Sequence, residues 1–413
     1  MPLSRRSILA VSLCAVLAAL AIAFSWYGTS RTAPSGTSST LEVAVTSGAD
    51  RGPGTLREAL FVIATAKTDA RISVRVPRIV VETALPPLVA AHDVSIVAQQ
   101  PGATIDAHAL HSAAVFDVAA ARVAISGLRI HDCSGAGILL RASRLHLEST
   151  TIEACDVGVD VAENATDILL ERNRFVANRV GVRFAASSRN SALVKNEFTG
   201  DKDAGLWAVR SEPDSATSAI SVRDNRFLTE RAGIVTGNVS LIIERNEFSD
   251  AREAAVHVIG AGAIVRDNRV TGGAAMGIIA ENARTAVIEG NEIEGLAAYG
   301  ILVRGSAGTL VRGNRLHNCG YGLAFVLGDA HSPSTAVENT ILEPKFNGID
   351  VIGDSPILRR NQVLRPHALS LHVEDFTPAG GRTIKAQPFL DNNAFGPAAV
   401  AHDRERHPAP GAR

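Results

Sequence analysis

The sequence predicts an all-β fold: a right-handed parallel β-helix of about twelve stacked coils, closed at its start by a short helix. Three observations carry this reading. A Gly-apolar-x-apolar motif recurs at intervals that are mostly 21 to 24 residues. An apolar-x-x-Asn-x-apolar motif recurs out of phase with it at the same period. Between them, no segment sustains the 3.6-residue period of an amphipathic helix.

The first motif begins at Gly137, Gly158, Gly181, Gly205, Gly233, Gly277, Gly300, Gly322 and Gly348, with Ala255 and Ser370 standing where the glycine would be. Its apolar residues alternate, the two-residue period of a strand. The asparagines of the second motif are Asn173, Asn196, Asn225, Asn246, Asn268, Asn291, Asn314, Asn339 and Asn361. The apolar positions flanking each asparagine are an odd number of residues apart, so both point inward only if the chain bends at the asparagine. Asparagine tolerates left-handed backbone angles, so the bend is expected on it. Stacking at roughly 4.8 Å per coil would place the asparagines in one hydrogen-bonded column, a structural role.

Open sheet ends need covers. Thr55-Leu56-Arg57-Glu58 has a capping-box pattern, and Leu56, Ala59, Leu60 and Ile63 follow at helical spacing, which predicts a plugging helix over 55–65. The stretch from Phe376 to Phe395 is expected to shield the other end.

The N-terminus reads as a targeting segment: Arg5 and Arg6 precede an uncharged apolar run from Ile8 to Phe24, followed by Trp26 and Tyr27. Two readings stay open over residues 1–27. One is a signal peptide cleaved near Ala21-Ile22-Ala23; the other is an uncleaved anchor that holds the protein to the inner membrane through 7–27. Either places the rest on the periplasmic or extracellular side. Ser4-Arg5-Arg6-Ser7 is also compatible with a twin-arginine signal. Residues 28–40 are rich in Ser, Thr, Gly and Pro and read as a flexible linker, 41–401 as the β-helix with its caps, and 402–413 as a disordered tail.

The chain has 413 residues and a formal net charge of -1, with no basic footprint for nucleic acid. No Cys or His spacing matches a zinc site, so no metal ligand set is expected. Cys133 and Cys155 are one coil apart; either a disulfide or two buried thiols fits.

Gly52-Pro53-Gly54-Thr55-Leu56-Arg57-Glu58-Ala59 resembles the opening of family 1 pectate lyases, and Ile125-Ser126-Gly127-Leu128-Arg129-Ile130-His131-Asp132-Cys133 resembles their first full coil. The later coils look like the generic repeats of the pectate-lyase-like superfamily, shared by carbohydrate-binding proteins, sugar hydrolases and NosD-like periplasmic proteins. The resemblance implies a β-helix from about residue 40 to 375. The lyases' Trp-x-Asp-His and Arg-x-Pro-x-x-Arg segments are missing, as are the Asp-Pro-His-Asp motif of alginate epimerases and the aspartate motifs of polygalacturonases. The resemblance therefore transfers the fold without the catalytic residues, and calcium enters by family analogy alone.

In Gly-apolar-x-apolar the x position points outward. Read coil by coil, it places Arg183, Trp207 and His257 on one face, with Glu281 and Arg304 two positions further along their strands. A tryptophan is a stacking platform for a sugar, and arginine pairs with a uronate carboxylate. His257, Glu281 and Arg304 are the candidate catalytic group, and Arg183 and Trp207 candidate substrate-binding residues. Asp350, His372 and Glu374 form a second candidate binding cluster. The outward apolar residues Val235, Ile279, Leu302, Ala324, Val326 and Ile352 argue for a strip covered by a loop, the C-terminal segment or another envelope protein.

These features predict an exported protein that binds, and as an enzyme would cleave or epimerise, an acidic polysaccharide; lyase, glycoside hydrolase and C5-epimerase all stay open. The alternatives are a non-catalytic scaffold in envelope or exopolysaccharide assembly and a NosD-like accessory protein.

Overall fold

From Ala136 onward each coil contributes three short strands, and each strand pairs in parallel with its equivalent one coil on. One full coil runs through Ala136–Leu140, Arg144–Glu148 and Thr151–Glu153, and Val157–Val161 begins the next. These positions define a first, second and third sheet. In the first, Ile138, Val159 and Val182 stack in register; in the third, Ile130, Ile152 and Phe175 do. Among the described residues, the third sheet has 14 strands. The first and second join where Phe116–Ser126 runs through their corner, pairing at one end with Ile138–Leu140 and at the other with Arg144–Glu148. The computed structural model describes residues 40–403 apart from 112, 142–143, 164, 186–187, 189, 211–218, 274–275, 380 and 397–400. The targeting segment, nearly all of the linker and residues 404–413 of the tail lie outside the described residues. Among the described residues, no helix is long and apolar enough to cross a membrane.

Inward residues from the three sheets form one continuous apolar core. Phe175, Phe198, Phe227 and Phe248 stack along it with ring centroids 4.8, 4.6 and 4.8 Å apart. This stack explains the glycine of the first motif. A Cβ on Gly233 would lie 2.6 Å from both the Ala255 carbonyl oxygen and Phe248 Cδ1, so only glycine lets the next coil and the ring approach this closely.

The asparagines form the expected column, but the bend is not on them. The residue before each one takes the left-handed conformation, as at Arg172 (φ 55°), Lys195 (φ 55°), Asp224 (φ 58°) and Arg245 (φ 52°). The asparagine itself points inward and is buried. Its Oδ1 accepts both the backbone N–H and the Nδ2–H of the asparagine one coil earlier. Its own Nδ2 also reaches a carbonyl of the earlier coil, as from Asn246 to Val222. Turning the corner frees backbone groups, and the amides satisfy them inside the core. The column extends one member beyond the sequence motif, to Asn393.

A second inner corner follows the third sheet, again after a left-handed residue such as Ala154 or Ala177. Its column begins with Cys133 and Cys155, which form a disulfide with Cα atoms 4.2 Å apart. It continues through Asn178, which accepts from the Cys155 N–H, and Asp201, which accepts from the Asn178 N–H at 2.8 Å. Glu230 follows one coil later.

The N-terminal cover is the helix Leu56–Ala64, which buries Leu56, Ala59, Leu60 and Ile63. Thr55 caps it by accepting from the Glu58 N–H, and the Glu58 carboxylate reaches back to the Gly54 N–H at 2.6 Å. The stretch from Phe376 to Phe395 does two things. Phe376 and Ile384 close an antiparallel excursion that lies over Gly353. Phe389–Asp391 and Ala394–Phe395 then add strands to the second and third sheets, and Ala401–Asp403 adds one to the first.

Candidate functional site

The first sheet sets the geometry of the candidate face. Parallel register places Asp160, Arg183, Trp207, Val235 and His257 beside one another on consecutive coils. Ile279, Leu302, Ala324, Asp350 and His372 continue the row.

Beside this row, the structure brings His257 together with Glu281 and Arg304, which lie two positions further along their strands. His257 Nε2 lies 3.0 Å from Glu281 Oε2, and Arg304 makes a close ion pair with the other oxygen. Burial alone would raise the Glu281 carboxyl; the Arg304 ion pair and the His257 contact outweigh it and hold it below the usual range. An ionised carboxylate only accepts, so Nε2 of His257 donates to Glu281, and in the neutral ring Nδ1 is the acceptor.

Trp207 sits between Arg183 and Val235, with 36% of its surface exposed. Arg183 is held by Asp160 through a bidentate pair at 2.8 and 2.6 Å, which raises its guanidinium pKa. Two coil steps, roughly 10 Å, separate Trp207 from His257. An extended chain, rather than a single small molecule, matches that separation.

The apolar outward residues are less available than their positions suggest. Val235, Ile279, Leu302 and Ala324 are buried, shielded by mutual packing along the row and by Met276, Tyr299, Val209 and Val326 beside it. Val326 and Ile352 are half-buried. The strip is thus largely covered by the chain itself, and it separates the His257 group from Asp350.

At the second cluster, Asp350 is buried, accepts from Asn347 Nδ2 at 2.8 Å and lies 3.4 Å from His372 Nδ1. Glu374 pairs in register with Ile352, two positions along. Sequence reasoning missed the aromatic stack beside this cluster. Tyr299, Tyr321 and Phe346 stack with centroids 4.7 and 5.0 Å apart, and Phe346 is exposed. Burial, then the Asp350 charge, raises both tyrosine hydroxyls. The available signal was a tyrosine directly before Gly300 and again before Gly322.

The family model for the right handed beta helix region matches residues 91–215 and 213–363, well over half of the chain. The chain belongs to that family. No curated protein matches this β-helix protein. Among solved structures, a PL6 alginate lyase in complex with a trisaccharide superposes with a TM-score of 0.53 at 13% identity, covering 88% of the present chain and 85% of the lyase. The catalytic unit of a GH87 alpha-1,3-glucanase from Streptomyces thermodiastaticus gives a TM-score of 0.49 at 13% identity, covering 89% and 70%. A mannuronan C-5 epimerase A-module from Azotobacter vinelandii gives 0.46 at 12%, covering 87% and 98%. At such identities the likeness concerns the β-helix fold alone, and function rests on the site.

Proposed function

We propose that the exposed face of the first sheet binds an extended acidic polysaccharide along the row from Arg183 to Arg304, and that His257 acts on it as a general base. The observation that carries this reading is the His257–Glu281–Arg304 contact. It gives an imidazole of fixed tautomer, with a guanidinium beside it and an indole two coils away. In this reading Trp207 stacks on a sugar ring, Arg304 offsets the uronate carboxylate, and His257 Nδ1 takes the C5 proton. In a lyase the C5–H electron pair forms the C4–C5 double bond, the C4–O bond breaks, and the leaving oxygen takes up a proton. In an epimerase a proton returns to C5 from the other face. The PL6 alginate lyase's fold likeness is compatible with such a substrate as an analogy.

A second reading, a non-catalytic envelope scaffold, is favoured by the buried apolar strip, which interrupts the polar face between the His257 group and Asp350. Both readings place the protein on the periplasmic or extracellular side, supported by the apolar run near the N-terminus and the Cys133–Cys155 disulfide.

The deciding experiment incubates the purified protein with polyuronates and follows ultraviolet absorbance of unsaturated ends and the C5 configuration of the product. Turnover that is lost in His257→Ala supports catalysis. Binding without change, abolished in Trp207→Ala, leaves a binding protein. Absence of both binding and turnover sinks the polysaccharide reading.

A further inference from the structure

On the third sheet, in coils preceding those of Trp207 and His257, one imidazole and two carboxylates converge, and a second imidazole contacts one of the carboxylates. Asp106 ends the strand Ala103–Asp106 and His131 ends Leu128–His131; parallel register sets the two side by side on successive coils. Asp132 then turns the corner with φ 58°. His108 Nδ1 lies 2.9 Å from Asp106 Oδ1, which also accepts the His108 N–H at 3.1 Å. His131 Nδ1 lies 2.7 Å from Asp132 Oδ2. One donor atom each from Asp106, His131 and Asp132 lies within 4.8 Å of the other two. We propose that Asp106, His131 and Asp132, with His108 as the fourth member, form a binding site for a zinc-type divalent cation.

Three arguments support this site. The donor set mixes imidazole nitrogen and carboxylate oxygen, which suits zinc and its first-row neighbours. Calcium and magnesium prefer six or more oxygens. Ligands on a tetrahedral zinc at about 2.0–2.2 Å are about 3.4 Å apart, so the donors of Asp106, His131 and Asp132 need only shift by about 1 Å relative to one another. Asp132, whose side chain is 53% exposed, can supply that movement by rotation. Arg78 pairs with Asp106 Oδ2, so its guanidinium opposes a cation on that side, while Oδ1 stays on the imidazole side and Asp132 adds a second carboxylate. Finally, the framework is anchored. The Asp106 side chain is only 5% exposed, and Cys133, next to Asp132, is tied to the following coil by its disulfide.

His317 offers an internal contrast. It lies between Glu294 and Glu343 at 3.1 and 3.3 Å, with both ring nitrogens engaged and no member buried as Asp106 is. That arrangement reads as solvated ion pairing.

The test is calorimetric titration of the purified full chain with zinc chloride after chelator treatment. The expected result is one zinc per chain with proton release and at least micromolar affinity. His131→Ala and Asp132→Asn should each weaken binding by about tenfold or more, while His317→Ala leaves it unchanged. Both loss variants alter partly exposed residues and spare the buried Asp106, and their melting curves check that they remain folded. No binding at millimolar zinc overturns the proposal. So does binding that persists in His131→Ala, or binding that disappears in His317→Ala.

Discussion

Asn246 donates through its side-chain Nδ2 to Oδ1 of Asn268, one coil further on, at 3.0 Å, and the same oxygen accepts the Asn246 backbone N–H at 3.0 Å. One amide oxygen therefore satisfies two buried donors of the preceding coil. Each coil depends in this way on the next, which couples neighbouring repeats without adding apolar surface.

Replacing Asn268 by Ala removes that acceptor and strands both Asn246 donors in the core. It also frees the Ile243 carbonyl, which Asn268 Nδ2 now reaches. An expected loss of about 2–4 kcal/mol follows, measured by denaturant unfolding. Asn393 ends the column and is only partly buried, so Asn393→Ala should cost about 1 kcal/mol. Equal losses at the two sites would contradict the ladder as a cooperative interior element.

A different pH dependence is built into the other inner corner. Asp201 and Glu230 are buried on consecutive coils; Asp201 Oδ2 and both Glu230 oxygens lack hydrogen-bond partners. Burial pushes both carboxyls up, and the Asp201 charge pushes Glu230 further, against weaker relief from the nearby Asp201 backbone N–H and then from Arg252. The folded chain therefore keeps protons that the unfolded chain releases above about pH 4.5. Stability from this pair is full below that point and declines as pH rises through the elevated folded values. Glu230→Gln keeps the shape without the titration. It should flatten the decline and make the variant more stable than the parent at pH 9 in urea titrations across pH. A variant that is no more stable at pH 9 would rule this account out.

The solenoid was legible because each coil repeats its inward residues at a fixed interval, and the capping helix because Thr55 and Glu58 flank its apolar face. The location of the left-handed residue was not legible: Arg172, Lys195 and Asp224 share no side-chain type, since the corner is set by the buried amide beside them. A stronger surface signal was present but went unread. The residues after successive asparagines, Arg174, Glu197, Arg226, Glu247, Arg269, Glu292 and Arg315, alternate in charge along the third sheet in strict register. Its period is two coils, so a search at one coil misses it. A slip of one coil would misplace every inward apolar residue equally little but would set like charges together. As for the candidate site, residue positions followed from the count, whereas contacts such as Asp160 with Arg183 depend on rotamers.

The role proposed for the His257–Glu281–Arg304 group can be tested apart from stability. Its ion pairs are partly exposed, so Glu281→Gln should cost less than about 1 kcal/mol in unfolding. Without a carboxylate to fix Nε2–H, the His257 tautomer is no longer set. Turnover on a polyuronate substrate should fall by about a hundredfold or more. A variant with unchanged turnover would remove Glu281 from the site, whatever its effect on folding.

The glycine of the first motif can be tested against the ring it accommodates. Gly233→Ala brings a methyl group within 2.6 Å of Phe248 Cδ1 and the Ala255 carbonyl oxygen, and should cost about 1–3 kcal/mol from overpacking. The next coil shows an alternative solution: alanine stands at 255, and the third-sheet position stacked on Phe248 is Val270, also buried. Phe248→Val alone opens a cavity and interrupts the phenylalanine stack, again at a cost. In the double variant the methyl occupies part of the space left by the ring, so the two losses should offset by about 1 kcal/mol or more in a double-mutant cycle. The remainder reports the contact with the Ala255 carbonyl, which no side-chain change relieves. Strict additivity would mean that glycine is required by the backbone of the next coil alone.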